Sequence, residues 1–443
     1  MNQEAFFREK VERILKKAKA KGASDAEVAL SSGEGFSVSV RNHELETIEH
    51  NEDQGMGITV YFGQRQGSAD TADLSDQSLD EALSAACHIA EFTIEDPCAG
   101  LPDKDTLATT QVDLDLYHPY PHDIDWSIEK VKACERIAFD FDPRIVNSEG
   151  AQFDTYSCVS FYGNSLGFFA ENTGSSHDIS LSMIAKERGQ KERDFSFTTA
   201  RRLEDLWSNE TLALDAAKRT VNRLNPRKIK TQKVPVLFEA SLADSLIGSL
   251  FKGISGSNLY HKTTCFLDSL GTLVLPETLS LYEDPFIQRG LGSAPFDAEG
   301  VAIRPQFLVE NGRVKTYLLS TYSARKLKTK STGHGGGIRN VFVQSKETHS
   351  FTNLLSIMGR GLFVTELIGQ GFNVLTGDYS RGASGFWVEN GIIQYPVSEI
   401  TIAGNLKDML KQIIGVGDDV ETRHRIHTGS LLIETMMVAG DNA

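Results

Sequence analysis

Apolar and polar positions in the first half of the chain switch repeatedly between a helical and a strand period. Residues 4–21 carry apolar side chains at intervals of three and four, which predicts an amphipathic helix that ends near Gly22. Strict alternation at Phe36, Val38 and Val40 predicts a strand instead. The same criteria predict helices after the capping box of Ser78 and Glu81, over Trp126–Phe139 and over Asn209–Leu224, and alternating strands within Ile145–Ala185.

The pattern changes after the helix that ends at Asn225–Pro226. A short basic segment follows, and the composition then turns toward glycine and paired strands. Asn-Gly pairs at 311–312 and 390–391 lie between strand-like runs and predict tight hairpins, because both central positions of such a turn need positive φ. We therefore divide the chain into one domain at residues 1–226 and another at 227–443.

The predicted fold class is α+β. The N-terminal domain is expected to pack helices on β-sheets. The C-terminal domain is expected to be mainly antiparallel β with a few helices, among them one over Leu406–Ile414, and to end with a strand over Ser430–Val438.

The net charge of the chain limits the classes of partner that it can bind. The chain has 443 residues and a formal net charge of −15, with a sequence pI near 5.3. Binding to nucleic acid or to an anionic membrane requires clustered cations, so neither is expected as a direct partner. A chain of this length can bury a large core without disulfides or structural metal.

The cysteines and the N-terminus bear on location. There are five cysteines, and no two of them form a C-x-x-C pair. Free thiols in a reducing cytosol are the simplest interpretation. The N-terminus has no apolar core of signal-peptide type, and no apolar run approaches the ~18 residues that a transmembrane helix needs. We therefore expect a cytoplasmic protein.

Zinc-peptidase spacing is not found among the histidines. In His43-Glu44, the second histidine of H-E-x-x-H would stand at Thr47, and that of H-E-x-x-x-H at Ile48. We interpret His43 and His50 as solvated residues on an acidic strand edge. The pair His118 and His122 lies in a proline-rich acidic loop, and His424 and His427 lie beside arginines that would repel a cation.

Other catalytic motifs are incomplete. Serine hydrolases need G-x-S-x-G at a strand-to-helix turn, and neither Gly253–Gly256 nor Gly382–Gly385 has this spacing. Dinucleotide binding needs G-x-G-x-x-G, and the glycine pairs at 359/361 and 369/371 are followed by valine at the third position. We interpret these segments as turns.

Long strings in the second half resemble a known family. They are STYSARKL at 320–327, GLFVTELIGQG at 361–371, GDYSRGASGFWVENG at 377–391 and PVSEITIAGNL at 396–406. These strings closely resemble the PmbA/TldE branch of the TldD/PmbA metalloprotease family. The resemblance extends over the whole chain; it is strongest at 296–440 and weakest at 95–125.

The resemblance implies a cytosolic bacterial peptidase built from two related subunits. The TldD-type subunit carries an H-E-x-x-x-H zinc motif on a helix, and the PmbA-type subunit pairs with it. Unfolded peptides are taken as extended strands. Roles attached to the family are peptide maturation by leader removal, degradation of an antitoxin and modulation of DNA gyrase.

When the zinc motif is aligned with this sequence, no metal-binding side chain stands at the two histidine positions. If Glu239 matches the motif glutamate, Phe238 and Ala243 stand at the two histidine positions. Neither side chain can coordinate zinc, and no cysteine follows Cys265. We expect no catalytic residue, no metal and no cofactor in this chain, with zinc held by the partner subunit.

The helix after the degenerate motif is expected to be regular. We predict it over Ala240–Phe251, with Gly253 ending it. One face would point toward the core and carry Leu242, Leu246 and Leu250.

Without metal ligands, the chain would contribute its surface and shape to the enzyme rather than catalytic groups. An open sheet edge can bind an extended peptide through backbone hydrogen bonds without reading sequence. The predicted peptide-binding or interface residues are Tyr379, Arg381, Ser384, Phe386, Trp387, Tyr322 and Arg325. The alternative is that the 377–391 stretch forms core and turns, and that the 320–327 stretch forms an ion-paired helix or turn.

Three functional hypotheses remain open. The first is a subunit that acts only with a TldD-type partner, and a homodimer is possible when the chain is alone. The second is an independent peptidase with a different active site. The third is a non-enzymatic binding protein that acts on DNA gyrase or an antitoxin.

Overall fold

A computed structural model of the protein describes residues 3–110 and 112–440. Its helices are α1 Gln3–Ala20, α2 Asp76–Phe92, α3 Ile124–Phe141, α4 Asn209–Asn222, α5 Ala240–Gly253, α6 Gly256–Tyr260, α7 Thr321–Lys326, α8 Phe351–Met358 and α9 Leu406–Lys411. The strands of the first half are β1 Asp25–Arg41, β2 Glu44–Phe62, β3 Arg65–Thr71, β4 Ile145–Asn164, β5 Phe169–Glu187 and β6 Gln190–Ala200. Those of the second half are β7 Gln232–Phe238, β8 Leu279–Asp284, β9 Gln306–Glu310, β10 Arg313–Val314, β11 Asn340–Ser345, β12 Gly361–Ile368, β13 Asp378–Glu389, β14 Ile392–Asn405, β15 Ile413–Val416, β16 Ile426–His427 and β17 Leu431–Ala439.

The first half folds around one antiparallel sheet, called here the first sheet, with strand order β3-β2-β1-β4-β5-β6. Even-numbered residues of β1 are buried toward both of its ends, which confirms the alternation predicted at 36–40. Near the start of β1 they join a core with α1 and α2, and near its end they join a core with α3 and α4. Two helical pairs therefore cover different parts of one continuous sheet.

Half of β2 is an open sheet edge. Strand β3 pairs only with Met56–Phe62, so among the residues that the structure describes, the segment 44–55 has β1 as a strand partner on one side alone. Every residue from 44 to 54 is exposed. This segment carries five acidic side chains, at positions 44, 46, 49, 52 and 53.

The second half contains two further sheets around one large core. The second sheet has the order β10-β9-β8-β11-β16, and the third has the order β14-β13-β12-β7-β17-β15. Strand β14 also pairs with β17 at 401–403, so five strands of the third sheet close into a ring. Helix α5 packs against both sheets within this core. The mixed helix-and-strand class predicted from sequence is confirmed.

The tight hairpin turns predicted at the two Asn-Gly pairs are also confirmed. Asn311 and Gly312 have φ of 47° and 74°, and Asn390 and Gly391 have φ of 53° and 72°. Such paired positive values are those of the turn that joins twisted antiparallel strands. The two turns connect β9 to β10 and β13 to β14.

The predicted domain boundary at 226/227 lies in the connection between α4 and β7. Within residues 3–110 and 112–440, no helix is both long enough and apolar enough to cross a lipid bilayer. All five cysteines are free thiols.

Replacing Gly385 with alanine is expected to destabilise the fold. A Cβ at this position would clash with the backbone carbonyl of Phe363 on the neighbouring strand, and backbone cannot swing aside as a side chain can. Because overpacking costs about 1–3 kcal/mol and sometimes more, we expect a loss of about 3 kcal/mol in urea unfolding. The matched variant is Gly55→Ala, whose Cβ would meet its nearest atom at 3.5 Å. Equal stability of the two variants would contradict this packing.

Candidate functional site

A cleft of about 470 Å³ lies where α4 meets the third sheet. Its polar wall carries Asp194 from β6, Arg219 from α4 and Glu239 from the start of α5. The cleft is also lined by the rings of Phe351, Phe363 and Phe386, which together are called here the aromatic wall. The cleft therefore contains the glutamate of the degenerate zinc motif.

Both carboxylate oxygens of Glu239 are already engaged. Arg219 donates from Nη1 to Oε1 at 2.7 Å and from Nη2 to Oε2 at 2.9 Å, a two-pronged pairing that matches the planar guanidinium. The Ser241 hydroxyl donates to Oε2 at 2.9 Å. Glu239 occupies the N-cap position of α5, and its amide donates to the carbonyl of Val364 at 3.0 Å. Its backbone and its carboxylate are thus both fixed.

The two positions expected for histidine are core positions. Phe238 ends β7 between β12 and β17, and its side chain is fully buried. Ala243 lies in the first turn of α5 and is also fully buried. Both belong to the large core of the second half, and neither lines the cleft.

Helix α5 agrees closely with its prediction. It begins at Ala240 as expected and ends two residues later than expected, at Gly253. Leu246 and Leu250 are fully buried, whereas Leu242 is only partly buried against the same core.

Arg219 belongs to an ionic network that joins the two halves of the chain. Its Nε lies 3.6 Å from the buried carboxylate of Asp194. Arg223, one helical turn further along α4, contacts the same Asp194 at 3.4 Å and also pairs with Glu366 of β12. Burial alone would lower the pKa of Arg219, but the hydrogen bonds and charges of its acidic partners outweigh it and hold the pKa above its ordinary value. The guanidinium therefore stays charged.

Neither arginine was singled out from the sequence. Arg219 and Arg223 are four residues apart, a spacing that places both on one face of α4. That spacing was the available signal, but it does not name the carboxylates that the face would meet.

The predicted residues of the 377–391 stretch separate in the structure. Tyr379, Ser384 and Trp387 are buried, and burial raises the pKa of Tyr379 to about 12. Arg381 is half-buried. Phe386 alone among the five reaches the cleft, where its ring stacks on Phe363 with centroids 6.2 Å apart.

The hypothesis that this stretch offers an open edge is wrong. Strand β13 is hydrogen-bonded to β12 on one side and to β14 on the other. Its glycines do permit close backbone approach, but at Gly385 the approaching backbone is that of β12. The described open edge along β2 is in the first half of the chain instead.

Tyr322 and Arg325 lie on α7, away from the cleft. The Tyr322 hydroxyl donates to Asp96 at 2.7 Å, and Arg325 donates to the carbonyls of Gly100 and Leu101 at 3.2 Å and 2.6 Å. They thus attach the second half of the chain to the segment that follows α2. A role for them in binding a peptide or a partner stays a prediction.

A relative from Escherichia coli O157:H7, named Metalloprotease PmbA, is 48% identical over 95% of this chain and 94% of its own length. The chain belongs to the PmbA/TldD metallopeptidase family. Models of this family, described as PmbA/TldA metallopeptidase domains, match in three parts: domain 1 at residues 26–90, the central domain at 117–224 and the C-terminal domain at 231–440. A second relative, named Metalloprotease PmbA homolog from Haemophilus influenzae, is 45% identical over 99% of this chain and 97% of its own length.

Solved structures of the PmbA/TldD family share the fold. A Thermotoga maritima protein described as a candidate modulator of a DNA gyrase has a TM-score of 0.88 and 26% identity, covering 98% of this chain and 100% of that one. A Thermococcus kodakarensis protein named TldE has a TM-score of 0.83 and 23% identity, covering 97% of this chain and 100% of that one.

A zinc ion of the kind implied by the PmbA/TldD family does not fit at the motif position of this chain. Phe238 and Ala243 present no donor atoms, and their side chains are packed in the core. The carboxylate of Glu239 is bound on both oxygens, and the guanidinium that binds it would repel a divalent cation. We therefore derive no chemical step through zinc at this position.

Replacing Arg219 with methionine is expected to lower the free energy of unfolding by about 2 kcal/mol. Breaking a fully buried pair costs ~3–5 kcal/mol, and the cost here is smaller because the cleft admits solvent. Adding Glu239→Gln to this variant should recover part of the loss, since the stranded carboxylate charge is removed. Urea unfolding of the single and double variants measures both effects.

The control for this prediction is Arg202→Met. Arg202 pairs with Asp205 at 2.7 Å, but both side chains are more than a third exposed, so its loss should cost less than ~1 kcal/mol. If Arg219→Met were no more damaging than this control, the ion pair would not hold the two halves together.

Proposed function

We propose that this chain is the metal-free subunit of a two-component cytoplasmic peptidase and acts together with a TldD-type zinc subunit on unfolded peptides. The observation that carries the proposal is the saturation of Glu239 by Arg219, with no ligand atoms at positions 238 and 243. A carboxylate held in this way cannot activate water, so hydrolysis would depend on residues of the other subunit.

The cleft supports a role in holding the substrate. An unfolded peptide presents backbone amides and scattered apolar side chains, and the cleft offers both aromatic rings and charged groups. Stacked rings bind apolar side chains of many shapes, which suits weak sequence preference. The peptide maturation and antitoxin degradation implied by the family resemblance both require such tolerance.

The alternatives have less support. An independent peptidase would need a catalytic group other than Glu239, because the carboxylate of Glu239 is already paired with Arg219. Binding to DNA gyrase rests on the description of the Thermotoga maritima relative. The net charge of −15 argues against direct contact with DNA and leaves a gyrase role to protein–protein contact alone.

The test uses purified chain, a TldD-type subunit from the same genome and a quenched fluorescent peptide. We expect no cleavage by this chain even with added zinc, and cleavage by the mixture that stops when a chelator is added. Co-elution of the two proteins on size exclusion should accompany the activity. Cleavage by this chain alone, or failure to associate with the TldD-type subunit, would overturn the proposal.

In the assembled enzyme, Phe386→Ala should raise the KM for peptide about 3–10-fold and leave kcat nearly unchanged. The substitution removes part of the aromatic wall, and a lost apolar contact of this size costs on the order of 1 kcal/mol. Ile392→Ala, on the same hairpin but 63% exposed, is the matched control and should not change KM. Equal KM values for the two variants would show that the aromatic wall does not contact the substrate.

A further inference from the structure

Three side chains that are distant in sequence converge beside the first sheet. Nε2 of His50 and Nε2 of His122 both point to the same oxygen of Glu34, at 2.8 Å and 3.3 Å. One ligand atom from each residue lies within 4.8 Å of the others. We call Glu34, His50 and His122 the Glu34 cluster.

The fold places two members of the Glu34 cluster on the same face of the sheet. Glu34 lies midway along β1, between the parts covered by the two helical pairs. His50 stands directly opposite Phe36 on β2, and opposed residues of an antiparallel pair project to the same face. Since Phe36 and Glu34 are two apart on β1, all three share that face.

The third member is delivered by the segment before α3. His122 precedes the N-cap of α3 and has a φ of 59°, which is uncommon outside glycine. Its ring lies edge-on to Phe36 at 6.2 Å and to Tyr120 at 5.7 Å, and both of these rings are buried. The aromatic neighbours thus hold the imidazole at the sheet although its own side chain is half-exposed.

The donor set suits a transition metal. Two imidazoles and one carboxylate form a ligand set that zinc accepts, with an open position for water. At metal–ligand distances of about 2.0–2.2 Å, tetrahedral donors lie roughly 3.3–3.6 Å apart. The separation between His122 and Glu34 already has this value, and the one between His50 and Glu34 needs to widen by about half an ångström.

The local charge also favours a cation. Glu52 is directly opposite Glu34 across the β1–β2 ladder, and like charges in that position repel. Asp53 follows in the same acidic run, and both line a cleft of about 420 Å³ next to the Glu34 cluster. A divalent ion would offset this repulsion.

We propose that Glu34, His50 and His122 bind a divalent transition-metal ion of the zinc type, which joins the β1–β2 hairpin to the segment that precedes α3. The site is separate from the degenerate motif at Glu239 and is independent of the proposed peptidase role. It departs from the expectation that this chain holds no metal. In the structure His50 is exposed on the acidic strand β2 and His122 lies in the loop before α3, as interpreted from the sequence, and the two converge on Glu34, which the sequence does not show.

The test titrates Zn²⁺ alone into the full chain after chelator treatment, by calorimetry. We expect one equivalent to bind. Loss of a surrounding hydrogen bond at a metal site costs about 10–100-fold in affinity, so His50→Gln and His122→Gln should each weaken binding by at least about tenfold. His88→Gln is the matched control: His88 is an exposed imidazole on α2 that also pairs with a glutamate, and its variant should bind as the original chain does.

Anomalous diffraction at the zinc edge gives an answer that does not depend on how the variants fold. The proposal expects a peak within about 2.2 Å of both Nε2 atoms and of a Glu34 oxygen. It is overturned if no zinc binds, if the peak lies elsewhere, or if folded His50→Gln and His122→Gln variants bind zinc as tightly as the His88→Gln control.

Discussion

The ion pair between Arg219 and Glu239 is the contact on which the polar wall of the cleft depends. It connects α4, the last helix of the first half, to the N-terminus of α5, the helix in the middle of the second core. Partly buried charges are costly unless they are paired and hydrogen-bonded, and here the pairing is two-pronged and backed by Asp194 and Arg223. The network therefore joins the two halves at the cleft, and the contacts of α7 with the segment after α2 join them elsewhere.

The same pair stands at the position that the family resemblance aligns with the zinc motif. The family resemblance places a zinc-bound helix at this position in the TldD-type subunit. In this chain the glutamate remains, the cation beside it is a guanidinium, and the two histidine positions are taken by core side chains. The charge of Glu239 at the head of α5 is thus balanced by the guanidinium of Arg219. Under the proposed function, the aromatic wall of the cleft contacts the substrate and needs no metal in this chain to do so.

Local features of the fold were predictable and long-range ones were not. The alternation at 36–40, the two Asn-Gly hairpins and the start of α5 are encoded within a few residues, where period and turn chemistry act directly. The ring closure between β14 and β17 and the burial of β13 between two strands depend on pairings between residues that are far apart in sequence. For that reason the sequence does not show that the 377–391 stretch is paired on both sides. The partner of Glu239 and the meeting of His50 with His122 were missed for the same reason, since a sequence shows which groups exist but not which of them meet.

The segment of β2 that pairs with β1 alone affects how copies of the protein associate in solution. A long exposed strand with free backbone groups is a template on which a second chain could add, and extended sheets assemble through such edges. The five carboxylates along 44–53 prevent this at neutral pH, because two copies brought edge to edge would set negative charge against negative charge. This protection against edge-to-edge association is electrostatic and not steric. It therefore weakens in concentrated salt, when the repulsion between the carboxylates is screened, so the purified protein should be handled at moderate ionic strength.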